Sequence, residues 1–271
     1  MRYISATVID GAHVSNTGLR KGNELEGRVA LVTGAARNIG RAIARSLAAG
    51  GAAVMVNAHT SREDAEKTVA MIKADGGKAA YFMADVTDVP AVQQMVDETV
   101  KQFGWLDFLV NNGSWRPDIK FEDTTLEQWR RVLSVTLDGA FICTQACLPH
   151  LLRAGGAAIV NIGGLTGHQG AFNRVHVIAA KSGLAGMTKG LAYDFAGKGI
   201  TVNCVVPGPI DTARGAQGLA AERPDHRKAI PLVGRRGEPG EIGAMVRMLC
   251  GPDARFITGQ SIHVNGGAWM P

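Results

Sequence analysis

Short apolar runs alternate with amphipathic segments along almost the whole chain after residue 25, and this alternation constrains the fold more than any other feature. The runs 29–33 and 157–162 have the length and branched side chains of buried strands, whereas segments 38–49 and 62–75 repeat apolar residues at helical spacing. Strands that alternate with helices form a parallel sheet with helices on both faces and ligands at its carboxyl edge. We therefore expect an α/β fold with a doubly wound parallel sheet in a single domain.

The other segments continue the same order. Further strands are expected at 53–57, 78–83, 106–111, 201–206 and 261–264. Further helices are expected around 92–103 and at 125–136, 139–153, 176–196 and 238–250. Residues 1–24 are interpreted as an N-terminal extension and residues 25–271 as the domain. Residues 208–237 are rich in Gly, Pro and charge and too long for a plain connection, which predicts a mobile lid.

Composition argues against several classes of function. The net charge of +5 comes from scattered Lys and Arg, which is not typical of a protein that binds nucleic acid. No run approaches the roughly 18 unbroken apolar residues of a membrane span, and the N-terminus lacks the order of a signal peptide. Cys143 and Cys147 are four residues apart, but no His or carboxylate cluster completes a metal site. We expect no metal, buried thiols and a reducing, cytoplasmic location.

A glycine-rich turn follows the first expected strand and reads Thr33-Gly34-Ala35-Ala36-Arg37-Asn38-Ile39-Gly40. Between a strand and a helix, such a turn presents backbone N–H groups to a pyrophosphate, and its glycines let the phosphate approach closely. The turn therefore predicts a dinucleotide site. Its candidate residues are Gly34, Arg37, Asn38, Ile39 and Gly40. A tight turn without a ligand is the alternative that the pattern leaves open.

The end of the second strand predicts which nucleotide binds. A carboxylate there would bind the ribose 2′-hydroxyl of NAD(H) and repel a 2′-phosphate, but this strand continues into Asn57-Ala58-His59. Residues Arg37, His59, Ser61 and Arg62 can instead surround a phosphate dianion. The residues favour NADP(H) over NAD(H), and a solvent-facing Arg37 is the alternative.

After residue 25 the chain resembles the short-chain dehydrogenase/reductase family, and within it the 3-oxoacyl-acyl-carrier-protein reductases. Its turn is similar to the family's TGxxxGxG, with Asn38 at the middle glycine, and residues 111–114 are similar to NNAG. The resemblance implies that Asp85 and Val86 contact adenine and that Asn111 belongs to the cofactor site. It further implies a site for the nicotinamide carboxamide at Pro207, Gly208, Ile210 and Thr212. A homodimer or homotetramer through helix 176–196 and its predecessor is also implied.

The family's catalytic set is incomplete in this chain. Family members use Asn, Ser, Tyr and Lys, with Tyr and Lys four residues apart on one helix so that both face the cofactor. Here Val177 lies four residues before Lys181, Gly164 is at the Ser position, and Thr136 is at the Asn position. None of the three tyrosines in the chain can take the missing place. Of the set, Lys181 is retained.

Other side chains near Lys181 are candidates for the missing chemistry. Arg174 can polarise a carbonyl or bind a carboxylate, although arginine is a poor proton donor. Histidine as a residue type can donate a proton near neutral pH, but a regular helix turns His176 about 100° from Val177, and His168 precedes that helix. The catalytic candidates are Lys181, His176 and Arg174. Alternatively, the histidines are surface or interface residues, and Lys181 only holds the cofactor ribose.

Trp115 and Arg116 follow the fourth strand and, with Gly164, form the expected substrate site. Trp115 offers an apolar wall and Arg116 an anion contact, which predicts a small anionic substrate. The leading hypothesis is an NADP(H)-dependent oxidoreductase that acts on a small carbonyl, alcohol or related compound with an atypical active site. Two alternatives stay open: a catalytically inactive nucleotide-binding domain with a regulatory or scaffold role, and a non-redox, lyase-type descendant of the fold.

Overall fold

The expected parallel sheet is present in the computed structural model, which describes residues 19–212 and 230–271. Its seven strands have the order β3-β2-β1-β4-β5-β6-β7, and all neighbours are parallel. The strands are β1 (Val29–Val32), β2 (Ala53–Ala58), β3 (Lys78–Met83), β4 (Phe108–Asn111), β5 (Ala157–Ile162), β6 (Ile200–Pro207) and β7 (Ser261–Val264). Strand order reverses at β1, and doubly wound sheets bind ligands at such a switch point.

Helices cover both faces of the sheet. They are α1 (Asn38–Ala49), α2 (Arg62–Ala74), α3 (Val89–Phe103), α4 (Leu126–Leu133), α5 (Gly139–Leu151), α6 (Thr166–Gln169), α7 (Val175–Phe195) and α8 (Pro239–Cys250). Apolar side chains of α1, α2 and α8 share one core with the sheet, and those of α3, α5 and α7 share another. Strands buried on both faces explain the continuous apolar runs in the sequence.

One element differs from the sequence-based expectation. Segments 125–136 and 139–153 were expected to be separate helices, but α4 and α5 are joined without a break by a π-helical turn, Ser134–Asp138. A π turn accommodates an extra residue inside a helix, so no loop is required. The turn ends at Gly139, where a Cβ atom would lie 2.6 Å from Val86 Cγ2. Glycine therefore lets the helix pass close to the segment that follows β3.

The continuous helical stretch Leu126–Leu151 is also long and apolar enough, by length and composition alone, to cross a membrane. Its buried side chains Cys143, Cys147 and Leu151 belong to the core beneath the sheet. Pro149 lies inside the same stretch. Packing against the sheet accounts for the apolar composition of this helix.

Two predicted segments lie partly outside the described residues, namely 1–18 of the N-terminal extension and 213–229 of the lid. The described end of the extension packs on α8. Arg247 Nη2 donates a hydrogen bond to Glu24 Oε2 (2.9 Å), and Leu25 is buried in the core that α8 shares. The last residues of the extension are therefore part of the folded domain.

The turn between β1 and α1 has an unusual backbone at Asn38. Arg37 is extended, and Asn38 then begins α1 with a φ of 52°, in the left-handed region. Asparagine tolerates this region better than other residues with a side chain, and glycine adopts it freely. Gly40 must lack a side chain, because a Cβ atom there would lie 2.3 Å from the Gly34 carbonyl oxygen. The backbone thus explains why Asn38 can replace a glycine.

We predict that Asn38→Val lowers the free energy of unfolding by about 1–3 kcal/mol, the usual cost of a left-handed backbone at a residue that resists it. Asn38→Gly, the matched control, should change it by less than about 1 kcal/mol, because glycine adopts this φ freely. Urea unfolding followed by circular dichroism measures both values. Equal losses in the two variants would show that the Asn38 side chain, not its backbone, is what matters.

Candidate functional site

A cavity of about 990 Å³ lies at the carboxyl edge of the sheet, beside the switch point at β1. Its wall is built from the segments that follow β1, β2, β3, β4, β5 and β6. Every predicted cofactor, substrate and catalytic residue lines this wall except Arg62, Asn111 and His176. The topology therefore gathers residues that are far apart in sequence into one site.

Hydrogen bonds hold the turn after β1 against its two neighbouring strands. The Gly34 N–H donates to Asn57 Oδ1 (3.2 Å) at the end of β2. From the other side, Asn112 Nδ2 donates to the carbonyl oxygens of Thr33 and Gly34 (both 3.0 Å), and the Gly113 N–H donates to Thr33 Oγ1 (3.0 Å). Sequence reasoning did not assign these supporting roles to Asn57 and Asn112. The feature of the sequence that could have indicated these roles is an amide side chain at or directly after the end of a buried strand.

Asn111 lies behind the cavity wall, which corrects its predicted place in the cofactor site. Its Nδ2 donates to Asn161 Oδ1 (2.9 Å) and to Thr144 Oγ1 (3.3 Å), so it joins β4 to β5 and α5. Side chains of successive residues in an extended segment point to opposite sides, so neighbouring residues face different surroundings. Asn112, the next residue, lines the cavity instead.

Cationic side chains stand at the end of the cavity nearest β2. Arg37 and His59 both line it, and both side chains are half-exposed. Arg37 Nη1 lies 3.7 Å from Asp64 Oδ2, and His59 Nε2 lies 3.5 Å from Asp85 Oδ2. Ser61 lines the same region. Arg62 is not part of the wall, since its guanidinium donates to the Tyr81 hydroxyl (3.1 Å).

Asp85 carries a negative charge into this region. Burial alone would raise the pKa of Asp85, but hydrogen bonds from Thr87, the charge of His59 and a hydrogen bond from Arg131 outweigh it and hold the pKa below its ordinary value. The carboxylate accepts from the Thr87 hydroxyl (2.8 Å) and from Arg131 Nη2 (3.3 Å). Asp85 is therefore an acceptor of fixed orientation in the cavity wall.

Lys181 lines the opposite end of the cavity. Its side chain is buried, and Nζ donates to the Ile162 carbonyl oxygen (2.6 Å) at the end of β5. Burial lowers the pKa of Lys181 to about 7, and the nearby charge of Arg116 adds to this effect, whereas Cys204 opposes it. The same burial raises the pKa of the Cys204 thiol to about 11. The ammonium form of Lys181 therefore holds its proton less tightly than that of an exposed lysine.

The positions of the absent family residues are filled in different ways. Val177 is buried and packs with Val132 and Ala180, so this position belongs to a small apolar cluster between α4 and α7. Gly164 lines the cavity, and a Cβ atom added to it would meet Lys181 Cγ at 4.0 Å and nothing closer. The cavity is therefore open beside Lys181.

A hydroxyl pair occupies the region of the family's Asn. Thr136 Oγ1 lies 3.1 Å from Ser114 Oγ, and Ser114 lines the cavity. Thr136 itself is buried in the π turn. Ser114 is a polar wall residue that sequence reasoning did not single out, although its position directly after β4 was a signal.

The structure corrects the roles predicted for two histidines. His176 has no exposed surface, and its Nε2 donates to the Pro117 carbonyl oxygen (3.1 Å), so it anchors the loop after β4 from behind the wall. It is neither a surface residue nor placed to donate a proton into the cavity. His168 packs edge to face against His263, with ring centroids 4.7 Å apart, and also contacts Trp269. His168 likewise does not line the cavity wall.

Arginines from two segments reach the cavity near Lys181. Arg174 is buried at the start of α7 and forms an ion pair with Asp118. Arg116 and Trp115 lie in the loop after β4, and all four side chains line the cavity. This end of the cavity thus combines guanidinium groups, an aromatic wall and the buried amine of Lys181.

Comparison with known sequences places the chain among reductases. A model of the family described as enoyl-(acyl carrier protein) reductase matches residues 34–268. The 3-oxoacyl-acyl-carrier-protein reductase FabG of Staphylococcus aureus is 40% identical over 242 residues, which cover 89% of this chain and 98% of the relative. The 3-oxoacyl-acyl-carrier-protein reductase of Synechocystis is 39% identical over 247 residues, which cover 91% and 98% of the two chains.

Solved structures of similar proteins share the fold. A dehydrogenase/reductase from Sinorhizobium meliloti superimposes with a TM-score of 0.84 at 37% identity, covering 91% of this chain and 96% of that one. A short-chain dehydrogenase from Burkholderia cenocepacia, solved in complex with NADP, gives a TM-score of 0.82 at 35% identity, covering 91% and 99%. With the parallel sheet, the switch-point cavity and these relatives, the chain belongs to the short-chain dehydrogenase/reductase family of oxidoreductases.

Proposed function

We propose that this protein is an NADP(H)-dependent oxidoreductase that acts on a small anionic carbonyl compound or the corresponding alcohol, with a proton-delivery route that does not use tyrosine. The observation that carries the proposal is the cavity itself. One end has cations and no acidic residue at the end of β2, and the other retains Lys181 beside open space at Gly164.

The described residues fit the dinucleotide. α1 begins at the cavity with no side-chain cap and no acidic residue in its first turn, so its first N–H groups can bind a pyrophosphate. Arg37 supplies positive charge and His59 a ring N–H for a 2′-phosphate, and Asn57 at the end of β2 accepts a hydrogen bond from the Gly34 N–H. The Burkholderia relative solved with NADP supports the same choice. When bound, the cofactor supplies or accepts the hydride.

The chain's own residues would bind and orient the nucleotide along the cavity. We assign the pyrophosphate to the turn after β1, the adenine to Asp85 and Val86, and the 2′-phosphate to Arg37, His59 and Ser61. The segment Pro207–Thr212, which follows β6 into the cavity, would hold the nicotinamide carboxamide. These positions put the nicotinamide end beside Lys181 and Gly164.

The substrate end favours an anion. Arg116 and Arg174 line it together with Lys181, and Asp118 offsets the charge of Arg174 through their ion pair. A carboxylate accepts hydrogen bonds from guanidinium groups and carries the opposite charge, whereas an ester is neutral. Trp115 supplies an apolar wall for the rest of a small molecule. We therefore propose an oxo acid as the substrate class.

Two other functions remain outcomes of the test. NADPH binding is measured by fluorescence titration, and hydride transfer is then followed by NADPH absorbance with 2-, 3- and 4-oxo acids, imines and enoyl thioesters. Binding without transfer to any compound would identify a nucleotide-binding regulatory or scaffold domain. An absence of nucleotide binding would point to a non-redox, lyase-type descendant of the fold.

We also propose a cytoplasmic homodimer or homotetramer that assembles through α5 and α7. Each of these helices carries an exposed aromatic residue, Phe141 at 53% and Tyr193 at 92% exposure. Light scattering coupled to size-exclusion chromatography should give two or four times the chain mass of 28.5 kDa. A mass of one chain across the concentration range would contradict the assembly.

We predict that Arg37→Ala weakens NADPH binding about 10- to 100-fold, the loss of a charge-assisted hydrogen bond to phosphate. NADH lacks the 2′-phosphate, so its affinity should change less than about threefold. Arg62→Ala is the matched control, because Arg62 follows the same strand but lies outside the cavity wall. Fluorescence titration measures the affinities of the unmodified protein and of each variant for NADPH and for NADH. Equal losses for NADPH and NADH would contradict a 2′-phosphate contact at Arg37.

We predict that each oxo acid is reduced with a lower KM than its methyl ester. Arg116→Gln should raise the KM of the acid about tenfold, because a charge-assisted hydrogen bond to the carboxylate is lost. The KM of the ester should stay within about twofold. Lys120→Gln, in the same loop but outside the cavity wall, is the matched control. Measurement near pH 6 keeps Lys181 largely protonated. An ester that equals its acid in KM would contradict anion recognition.

A further inference from the structure

We propose that the Lys181 ammonium group itself donates the proton to the substrate carbonyl oxygen, in the place of the absent tyrosine. This inference rests on the proposed oxidoreductase function and names the catalytic acid of that same site. It assigns Lys181 a direct chemical role rather than a supporting one.

Geometry places Lys181 where a donor is required. Its side chain lines the cavity beside Gly164, and no side chain at position 164 covers it. An ammonium group has three N–H donors, of which one is used by the Ile162 carbonyl oxygen (2.6 Å). That hydrogen bond fixes the position of Nζ and leaves two donors for a ligand.

Other acids in the described wall of this end are poorly suited. Arg116 and Arg174 do not release a proton at ordinary pH. Asp118 and Asp211 each accept from an arginine, Arg174 and Arg236 respectively, and so act as hydrogen-bond acceptors. Among the histidines, His59 lies at the other end of the cavity beside Asp85. His168 and His176 do not line the cavity at all.

The electrostatic setting suits a proton donor. Burial and the charge of Arg116 lower the pKa of Lys181 to about 7, and Cys204 on β6 acts weakly in the opposite direction. A general acid is most effective when its pKa is close to the working pH. An exposed lysine, with a pKa near 10.4, would be a far weaker acid. The surroundings of Lys181 thus supply what the tyrosine hydroxyl supplies elsewhere.

The proposed step balances. The carbonyl carbon receives a hydride from NADPH, which is oxidised to NADP⁺. The carbonyl oxygen takes a proton from Lys181 Nζ, so one N–H bond breaks and one O–H bond forms. Lysine is left as a neutral amine and regains its proton from water. In the reverse direction, the neutral amine accepts the proton of the alcohol.

The two directions have opposite pH dependence. Carbonyl reduction requires the ammonium form, so its kcat should be constant below the pKa of about 7 and fall about tenfold per pH unit above it. Alcohol oxidation requires the neutral amine, so its kcat should rise through the same pH. Removing the positive charge of Arg116 should raise the pKa of Lys181 and move both limbs to higher pH.

A measurement without substrate or cofactor tests the acid directly. Competitive labelling of the whole protein with acetic anhydride across pH, followed by peptide mass spectrometry, gives the titration midpoint of each lysine. Lys181 should titrate near 7, well below the value of about 10.4 of an unperturbed lysine side chain. Arg116→Gln should raise the midpoint of Lys181, and Lys120→Gln should not. A midpoint of Lys181 near about 10.4 would overturn the proposal.

Kinetics then test the role. Lys181→Arg keeps a positive charge but holds its proton, so kcat for the best oxo acid should fall about 10²- to 10⁴-fold while NADPH affinity changes little. Arg116→Gln retains the lysine and should shift the pH limb of kcat in step with the labelling midpoint. Lys181 is not the proton donor if Lys181→Arg leaves kcat nearly unchanged, or if Arg116→Gln does not shift the pH dependence of kcat. Either result overturns the proposal while the oxidoreductase function stands. Absence of hydride transfer in the unmodified protein overturns both.

Discussion

The hydrogen bonds that tie the turn after β1 to β2 and β4 are the constraint on which the rest of the site depends. Asn57 holds the Gly34 N–H from one side, and Asn112 holds the carbonyl oxygens of the turn from the other. Because strand order reverses at β1, these bonds join the two halves of the sheet at the point where they diverge. The first turn of α1 is thereby fixed in direction toward the cavity. A nucleotide that binds there meets N–H groups that need no rearrangement, which lowers the cost of binding.

The difference between local sequence pattern and contacts across the fold explains which features the sequence predicts and which it does not. Strands β3 and β5 were predicted to the residue, and for β5 the reason is that a parallel strand buried on both faces is an almost continuous apolar run. The turn after β1 was recognisable because glycines and an asparagine are required by its backbone. The π turn was not recognisable from the sequence, since it lies where Gly139 passes close to Val86, a residue far away in the chain. Local pattern determines the elements, whereas contacts between elements determine their irregularities.

Side-chain direction is the second limit of sequence reasoning. His176 and Lys181 lie on the same helix five residues apart, yet His176 is bonded to the Pro117 carbonyl oxygen and Lys181 to that of Ile162. Asn111 and Asn112 are adjacent, and one joins strands in the core while the other braces the turn. Residue type made each a reasonable candidate. The elements packed on either side decide which of them reaches the cavity, and no single-sequence pattern contains that information.

Neither the tyrosine position nor the serine position gives Lys181 a neighbouring hydroxyl group. In a polar pocket, hydroxyl groups can stabilise an ammonium ion; here Val177 sits in an apolar cluster and Gly164 offers no side chain. Burial, and to a lesser degree the nearby charge of Arg116, disfavours the ammonium form of Lys181. A retained lysine therefore need not be a remnant. The buried amine has a lowered pKa at the site from which the usual acid is absent, which is what a proton donor there requires.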